Sequence, residues 1–368
     1  MRVALVYDRV NKVGGAERVL MALHGIWPEA PLFTSVYSPA HAPWAREFTV
    51  ITSFLNRLPG LRAHHEWLFW LMPLAFESFD FSQFDVVISV TSAEAKGVIT
   101  APRTFHVCYF LTPPKYLWSQ TKLHLDQNPL GRMGKLILLP LFSRMRRWDY
   151  FAGQRPDYLV AISQSVAGKV KKYYRREVDE VVYPPVDIQR FQEVGKNSLK
   201  SSYFLLVSRL VPAKRVEVVV QAFRKLSDRL VVVGTGSEEK KLKIQATANV
   251  TFTGLVTDNE LVGYYQNCRA VIMPQEEDFG IVALEALAAG KPVISFNAGG
   301  VREIVIEGKT GTFFGDCTPG GIMKAIRRFE TMNFDSKMLI TTAQQFDTVN
   351  FQGQFRKVVE KAWQNYQH

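Results

Sequence analysis

The residues best placed to do chemistry are Glu277 and Glu285, which bracket the turn within P-Q-E-E-D-F-G-I-V-A-L-E-A-L-A-A-G at Pro274–Gly290. A short apolar strand, Ala270–Met273, runs into Pro274 and an acidic turn. Gly280 then opens a helical run, Ile281–Ala289, which Gly290 closes. Glycine at position 280 permits a tight bend and close approach by a ligand. The free N–H groups of Gly280, Ile281 and Val282 would sit at a helix N-terminus, where partial positive charge favours a phosphate. Glu277 precedes the helix and Glu285 lies more than a turn inside it. They are therefore not a glycosidase-type pair, and each is expected to meet a different part of one ligand. A strand–turn–helix unit with an acidic first turn also occurs without any ligand, so the stretch needs support from elsewhere in the chain.

That support comes from cations at another strand end. V-S-R-L-V-P-A-K-R, after the expected strand Tyr203–Ser208, puts Arg209 and Lys214 in a loop where they could neutralise a diphosphate leaving group, Arg by a fork and Lys as a point charge. Solvated surface cations are the alternative, and the strand-end position favours the functional reading. Loops carrying Gly234 (V-G-T-G-S-E, Val233–Glu238) and Gly254 (F-T-G-L-V-T, Phe252–Thr257) lie at equivalent strand ends and could hold a nucleotide through backbone contacts. N-A-G-G-V-R-E at Asn297–Glu303 is a further glycine-rich loop. After the first strand, Gly14-Gly15 precedes a helix expected near Ala16, so amides there could face a phosphate or sugar. A tight strand-to-helix loop is the plainer account of that pair. The G-x-G-x-x-G spacing of a dinucleotide site is missing.

The elements that must position these residues alternate strand and helix, which implies parallel sheets covered on both faces. Expected strands are Arg2–Tyr7, Asp85–Ser89, Phe105–Tyr109, Tyr158–Ile162 and Val181–Tyr183, then Tyr203–Ser208, Leu230–Val233, Val250–Thr253, Ala270–Met273, Pro292–Phe296 and Thr312–Phe314. Helical patterns include Val216–Leu226, Glu238–Ala248, Glu260–Asn267 and a last segment, Gln352–Tyr366. With 368 residues the chain is long for one core. Y-P-P-V-D stops a strand near Pro184-Pro185, which separates domains at 1–185 and 186–350. The expectation is an α/β protein of two doubly wound, Rossmann-like domains facing a cleft at the strands' carboxyl edges, where such sheets bind ligands.

Composition narrows the class. A hydrophobic fraction of 47% against 21% charged residues reads as globular rather than disordered. Cys108, Cys268 and Cys317 are far apart, which argues against a disulfide framework or zinc site and for a reducing cytoplasm. The N-terminus M-R-V-A-L-V-Y-D reads as a buried strand rather than a secretory signal. The apolar runs Trp67–Phe76 and Leu136–Phe142 are too short to span a bilayer. The net charge of +11 is unevenly spread, with eleven Lys/Arg against two Asp/Glu across Arg132–Arg176. Interleaved aromatics there suit an anionic membrane face or a nucleic acid, and a solvated helix face is the ordinary alternative. No nucleic-acid-binding motif accompanies the segment, so a membrane is favoured.

Taken together these motifs resemble the retaining nucleotide-sugar glycosyltransferases of family 4, which have the GT-B fold. E-D-F-G-I-V-A-L-E at Glu277–Glu285 matches the family's E-x(7)-E element, and S-R-L-x(3)-K at Ser208–Lys214 its cationic loop. G-G-A-E-R at Gly14–Arg18, V-G-T-G at Val233–Gly236, F-T-G at Phe252–Gly254 and A-G-G-V-R-E at Ala298–Glu303 follow in the expected order. The resemblance implies that Arg209 and Lys214 bind the donor diphosphate and offset charge developing on it. It implies that Glu277 holds the donor sugar's hydroxyls and Glu285 those of the ribose. The amides around Phe279, Gly280, Ile281 and Val282 would contact sugar and phosphate, with Gly15 approaching the diphosphate from the first domain. The terminal helix, 351–368, would complete the first domain. No metal or other cofactor is implied, and no D-x-D motif lies near the proposed site.

One position departs from the family. Its members often read C-Y-C-H-T-P-M-R-Y-x-W where this chain has C-Y-F-L-T-P-P-K-Y-L-W at Cys108–Trp118, so Leu111 replaces a histidine and can neither hydrogen-bond nor transfer a proton. His106, within a strand, reads as a core residue rather than a substitute. The most similar subgroup makes bacterial surface polysaccharides from lipid-linked acceptors, with GDP-mannose the favoured donor. Gln120–Gly131 would lie on the acceptor side, and Trp67–Phe76 with the basic segment would dock on the cytoplasmic membrane face. Two other classes remain. Another GT-B enzyme, such as an epimerase, would need acid/base residues that the sequence does not offer. A non-catalytic sugar-nucleotide-binding protein is motivated by Leu111.

Overall fold

Near-continuous apolar runs such as V-A-L-V-Y and V-V-I-S-V-T can be buried on both faces only in a parallel sheet covered by helices. The computed structural model, which describes residues 1–12, 14–57, 69–126, 131–192 and 203–368, contains two such sheets. They fall in two units, Met1–Tyr183 with Phe351–His368, and Pro184–Asn350.

In the first unit the strands are β1 (Val3–Tyr7), β2 (Leu32–Thr34), β3 (Val50–Thr52), β4 (Val86–Thr91), β5 (Phe105–Phe110), β6 (Tyr158–Ala161) and β7 (Glu180–Val181). Their order is β3-β2-β1-β4-β5-β6-β7, with every pairing parallel. β2 and β3 are absent from the sequence expectation because three residues, L-F-T and V-I-T, are too short to establish a period. β7 lies slightly earlier than the expected Val181–Tyr183.

The second unit holds β8 (Tyr203–Val207), β9 (Arg229–Val233), β10 (Val250–Gly254), β11 (Val271–Met273), β12 (Val293–Phe296) and β13 (Gly311–Phe314). They run β10-β9-β8-β11-β12-β13, again parallel. Both sheets therefore reverse their winding between the first and fourth strand, at β1/β4 and at β8/β11, which is where ligands bind in doubly wound folds.

The closing helix, Thr348–Tyr366, packs on the first unit. Gln352 donates to the Ala22 carbonyl at 3.0 Å, Arg356 to Ile26 at 2.9 Å and the Tyr366 hydroxyl to Pro102 at 2.6 Å. Phe355 lies edge-on to Tyr109, with ring centroids 5.2 Å apart.

The first unit's interior also holds a complete ion pair. Lys96, fully buried, reaches Asp149 Oδ1 at 2.5 Å and donates to the Ala93 carbonyl. Asp149 Oδ2 accepts from Trp118 Nε1 at 2.7 Å and from the Tyr174 hydroxyl at 2.8 Å. The pair thus ties the turn after β4 to the loop after β5 and to two helices, Gly131–Ala152 and Gln164–Tyr174.

The surface features expected from sequence are redistributed. Of the run Trp67–Phe76, positions 67 and 68 lie outside the described residues, and Met72, Ala75 and Phe76 are core. Only Trp70 and Leu74 remain well exposed. Positions 127–130 of the Gln120–Gly131 segment also lie outside the described residues. In the basic segment, Arg146, Arg155 and Arg176 donate to the backbone carbonyls of Leu117, Gly97 and Pro156, so they staple loops rather than face solvent. Arg144, Arg147, Lys171, Lys172 and Arg175 stay exposed. Among the described residues, no helix is long and apolar enough to cross a membrane.

Removing one member of a buried pair leaves a charge without a partner, a cost of about 3–5 kcal/mol. Asp149→Ala should therefore lower the thermal midpoint of the first unit sharply. A double change, Lys96→Met with Asp149→Leu, should recover most of that loss in circular-dichroism melts.

Candidate functional site

At the second unit's switch point, β8 ends in Ser208-Arg209 and β11 in Pro274-Gln275. The loop after β8 closes in a short turn, Pro212–Lys214, and brings Lys214 Nζ to 2.5 Å from Glu277 Oε1. Both side chains are about one-fifth exposed, at 21% and 18%. Gln275 Nε2 donates to the same oxygen at 2.6 Å. One oxygen of Glu277 is thus fixed by a cation and an amide. Arg209, by contrast, is exposed, and its side chain has no hydrogen-bond or ion-pair partner among the described residues.

Gly280 takes φ +112, a conformation that a side chain rarely adopts, and starts the helix Ile281–Ala288 three residues after Glu277. No side chain caps that helix. Phe279 is buried with its ring 5.8 Å from that of Phe346, so only its backbone is offered to a ligand. Ile281 and Val282 form the half-buried first turn. Glu285 lies one face round, 4% exposed, and accepts the Tyr265 hydroxyl at 2.6 Å on Oε2.

Glycines lock these loops together. A Cβ on Gly234 would stand 2.0 Å from the Ser208 carbonyl oxygen, and one on Gly236 would stand 2.3 Å from that of Leu210. The loop carrying Arg209 is also held by Leu210 N donating to Thr235 O at 2.8 Å. Gly299 and Gly300 would strike the carbonyl oxygens of Glu277 and Asp278 at 2.1 and 2.3 Å, and Gly300 N donates to Glu277 O at 2.8 Å. At Gly234 the demand for glycine is therefore met by the protein's own backbone. Gly254 is different: it has φ +74 and open space where a Cβ would point.

Gly15 belongs to the first unit, where it begins the helix Gly15–Ile26 one residue earlier than expected. Glu17, in that helix's first turn, is buried and accepts the Tyr7 hydroxyl at 3.0 Å, so a carboxylate already sits close to these amides. His106 is fully buried beside Ser89 Oγ at 2.8 Å, and burial with the nearby Arg155 and Arg176 pushes its pKa down to about 3. It is a neutral core residue.

Two neighbours of the site were not anticipated. Gln275 stands two residues before Glu277, in the bend that follows β11. Its Oε1 is buried without a partner, which marks a group awaiting a ligand or water. Tyr265 reaches Glu285 from a different helix, and no local pattern announces such a contact.

The second unit matches the family Glycosyl transferases group 1, over residues 187–346. An uncharacterised glycosyltransferase of Methanocaldococcus jannaschii is 28% identical over 169 residues, 43% of this chain and 47% of that protein. The D-rhamnosyltransferase WbpZ of Pseudomonas aeruginosa is 29% identical over 203 residues, 51% of this chain and 52% of WbpZ. The chain thus spans about half the length of the curated relatives it matches. Solved structures align over nearly the whole chain. The lipopolysaccharide outer core galactosyltransferase WaaB has a TM-score of 0.66 at 20% identity, covering 98% of this chain and 99% of WaaB. Anabaena HepE in complex with UDP-glucose has a TM-score of 0.67 at 19% identity, covering 98% of this chain and 100% of HepE. These likenesses establish the fold, GT-B, with its two Rossmann-like sheets.

Burial raises the Glu17 carboxyl above its ordinary value, outweighing the hydrogen bonds it accepts. The folded state therefore holds that proton more tightly than the unfolded chain. The stability it contributes is full below the unfolded value, and it is lost as pH rises through the folded one. Glu17→Gln keeps an acceptor for Tyr7 without the ionisation. Its melting temperature should gain on wild type as pH rises past the ordinary carboxylate range, and the gain should level off once the folded carboxyl has ionised; a constant difference would refute the assignment.

Proposed function

We propose that the chain is a retaining glycosyltransferase that moves a sugar from a nucleoside-diphosphate sugar to a lipid-linked or glycan acceptor in the synthesis of a cell-surface polysaccharide. The observation that carries this reading is the Lys214–Glu277 contact at the switch point, three residues ahead of an uncapped helix start. Cation, carboxylate and free amides converge there on one sheet edge, and that set suits a sugar joined to a diphosphate. The match to group 1 glycosyltransferases supports the reading independently.

In the reaction, the bond from the sugar's anomeric carbon to the diphosphate breaks and one to the acceptor oxygen forms on the same face. Lys214 and Arg209 offset the charge that grows on the departing diphosphate, the role a divalent cation would otherwise fill. Glu277, with Oε1 fixed by Lys214 and Gln275, holds hydroxyls of the sugar, while Glu285 holds those of the ribose. The acceptor's proton passes to a diphosphate oxygen, so Leu111 in place of a histidine does not block the transfer. GDP-mannose is the leading donor by family resemblance. HepE, a neighbour in fold, was solved with UDP-glucose, so both bases belong in the test.

Thermal-shift titration with GDP-mannose, UDP-glucose and related donors should single out one sugar nucleotide and its diphosphate. Slow hydrolysis of that donor should then fall about 100-fold or more in Lys214→Ala and Glu277→Ala. Wild-type turnover in both variants would remove the site assignment. Stabilisation without any turnover would instead favour a non-catalytic sugar-nucleotide-binding protein, the reading that Leu111 motivates.

The site of action we infer is the cytoplasmic membrane surface. Along the helix Gly131–Ala152, Leu136, Pro140, Arg144, Arg147 and Phe151 are exposed at spacings that share one face, with Leu136 73% and Phe151 64% exposed. Apolar insertion beside basic charge suits anionic lipid. Vesicles containing phosphatidylglycerol should co-sediment the protein at low salt, and Leu136→Glu with Arg147→Glu should abolish this; equal sedimentation of wild type and variant would refute the docking face.

A further inference from the structure

The second unit treats the two oxygens of Glu277 differently. Oε1 accepts from Lys214 Nζ at 2.5 Å and from Gln275 Nε2 at 2.6 Å. Oε2 accepts no hydrogen bond among the described residues, and it is not buried. One oxygen therefore holds the group in place and the other is presented. The two holders differ in kind. Lys214 is 21% exposed on a flexible stem, and a diphosphate would compete for its charge. Gln275 is 4% exposed and uncharged, so an anion does not draw it away in the same manner.

The bend that carries Gln275 is pinned on both sides. Cys317 Sγ, from the loop after β13, donates to Pro274 O at 3.1 Å. Gly300 N, from the loop after β12, donates to Glu277 O at 2.8 Å. The amide is thus set against the carboxylate before any ligand arrives, and no ordering remains to be done on binding. Of the other charged groups on these loops, Arg209, Glu276, Asp278, Arg302, Glu303 and Asp316, none bonds to Glu277.

Packing does not account for an amide at this position. Gln275 Oε1 is buried without a partner among the described residues. A buried carbonyl left so costs stability, and a methionine of similar length would avoid that cost. The other end of the amide does account for it. An N–H can only donate, so it favours the ionised form of Glu277 and fixes the rotation of its carboxylate.

We infer that Gln275 is a positioning residue for the transfer. It orients Glu277 so that Oε2 faces the donor's sugar, and it keeps that orientation when Lys214 turns to the diphosphate. The inference rests on the glycosyltransferase reading.

The test uses the full chain with GDP-mannose and UDP-glucose, and with GDP and UDP alone. Gln275→Met should lower kcat/KM for hydrolysis of the preferred donor by about tenfold or more, the loss expected for one hydrogen bond to a charged group. Its affinity for the matching diphosphate should stay within about twofold of wild type, and its melting temperature should not fall. A side chain that served only the fold would move all three together. Gln275→Glu sets a second carboxylate beside the first, which raises the proton affinity of the pair. As pH falls from about 8 to about 5.5, the protonated Glu can donate as the amide did, so turnover relative to wild type should recover. This second readout stands if Gln275→Met does not fold. Wild-type donor use in folded Gln275→Met, equal losses for donor and diphosphate, or a pH-independent ratio in Gln275→Glu would each overturn the inference. If wild type turns over a donor and Gln275→Met does so equally, the inference alone falls. If wild type binds neither sugar nucleotide nor diphosphate, the glycosyltransferase reading falls and takes the inference with it.

Discussion

The reversal of winding inside each parallel sheet is the constraint on which the rest depends. A strand leaves its sheet at the carboxyl end and must return over one face or the other. After β8 the chain passes through the helix Val216–Phe223 to β9 on one side. After β11 it passes through Ile281–Ala288 to β12 on the other. Loops that diverge in this way leave a gap over the sheet edge that neither connection fills. In both units a cation from the first loop and a carboxylate from the fourth meet across that gap, Arg9 with Glu94 and Lys214 with Glu277.

Holding those loops at contact distance is a backbone problem before it is a chemical one. Gly234, Gly236, Gly299 and Gly300 each stand where a Cβ would fall within about 2.3 Å of a neighbouring carbonyl oxygen. The loops after β8 and β9 are joined in this way, and so are those after β11 and β12. Arg209, Lys214 and Glu277 consequently ride on segments whose positions are set by direct main-chain contact. The first unit uses other means, with Asp8 gathering four hydrogen bonds and Lys96 meeting Asp149 in the interior. A glycine-rich loop and a buried polar staple are two solutions to the same need.

The sheets were legible in sequence because their long strands are apolar on both faces, and the domain break because Pro184-Pro185 cannot continue a strand. β2 and β3 escaped because three residues carry no period. Lys214 and Glu277 could be placed on one sheet edge from sequence because both follow strand ends, whereas Glu285 lies inside a helix. Gln275 lacks charge, and its contact with Glu277 is made through a bend after β11 that no sequence period marks. Tyr265 against Glu285, and Tyr116 against Glu94, join residues 20 and 22 positions apart through tertiary packing. No local pattern encodes such contacts. Gly234 also meets a demand that the local sequence does not announce, since a Cβ there would strike the carbonyl of Ser208 on another loop.

The Lys214–Glu277 pair also has a consequence for binding order within the second unit. Both side chains are about one-fifth exposed, so their attraction is screened by solvent and is worth no more than about 1 kcal/mol. A diphosphate carries more charge than one carboxylate and offers oxygens to both Lys214 and the exposed Arg209. Its arrival can therefore draw Lys214 from Glu277 at little cost. Gln275 would still hold Glu277 Oε1 by its amide, and the carboxylate would keep its direction while its countercharge moved to the phosphate. A freed carboxylate held in place is a stronger acceptor for sugar hydroxyls than one neutralised by lysine. On the proposed reading the diphosphate would thus prepare Glu277 for the sugar's hydroxyls, which would favour intact sugar nucleotides over free sugars.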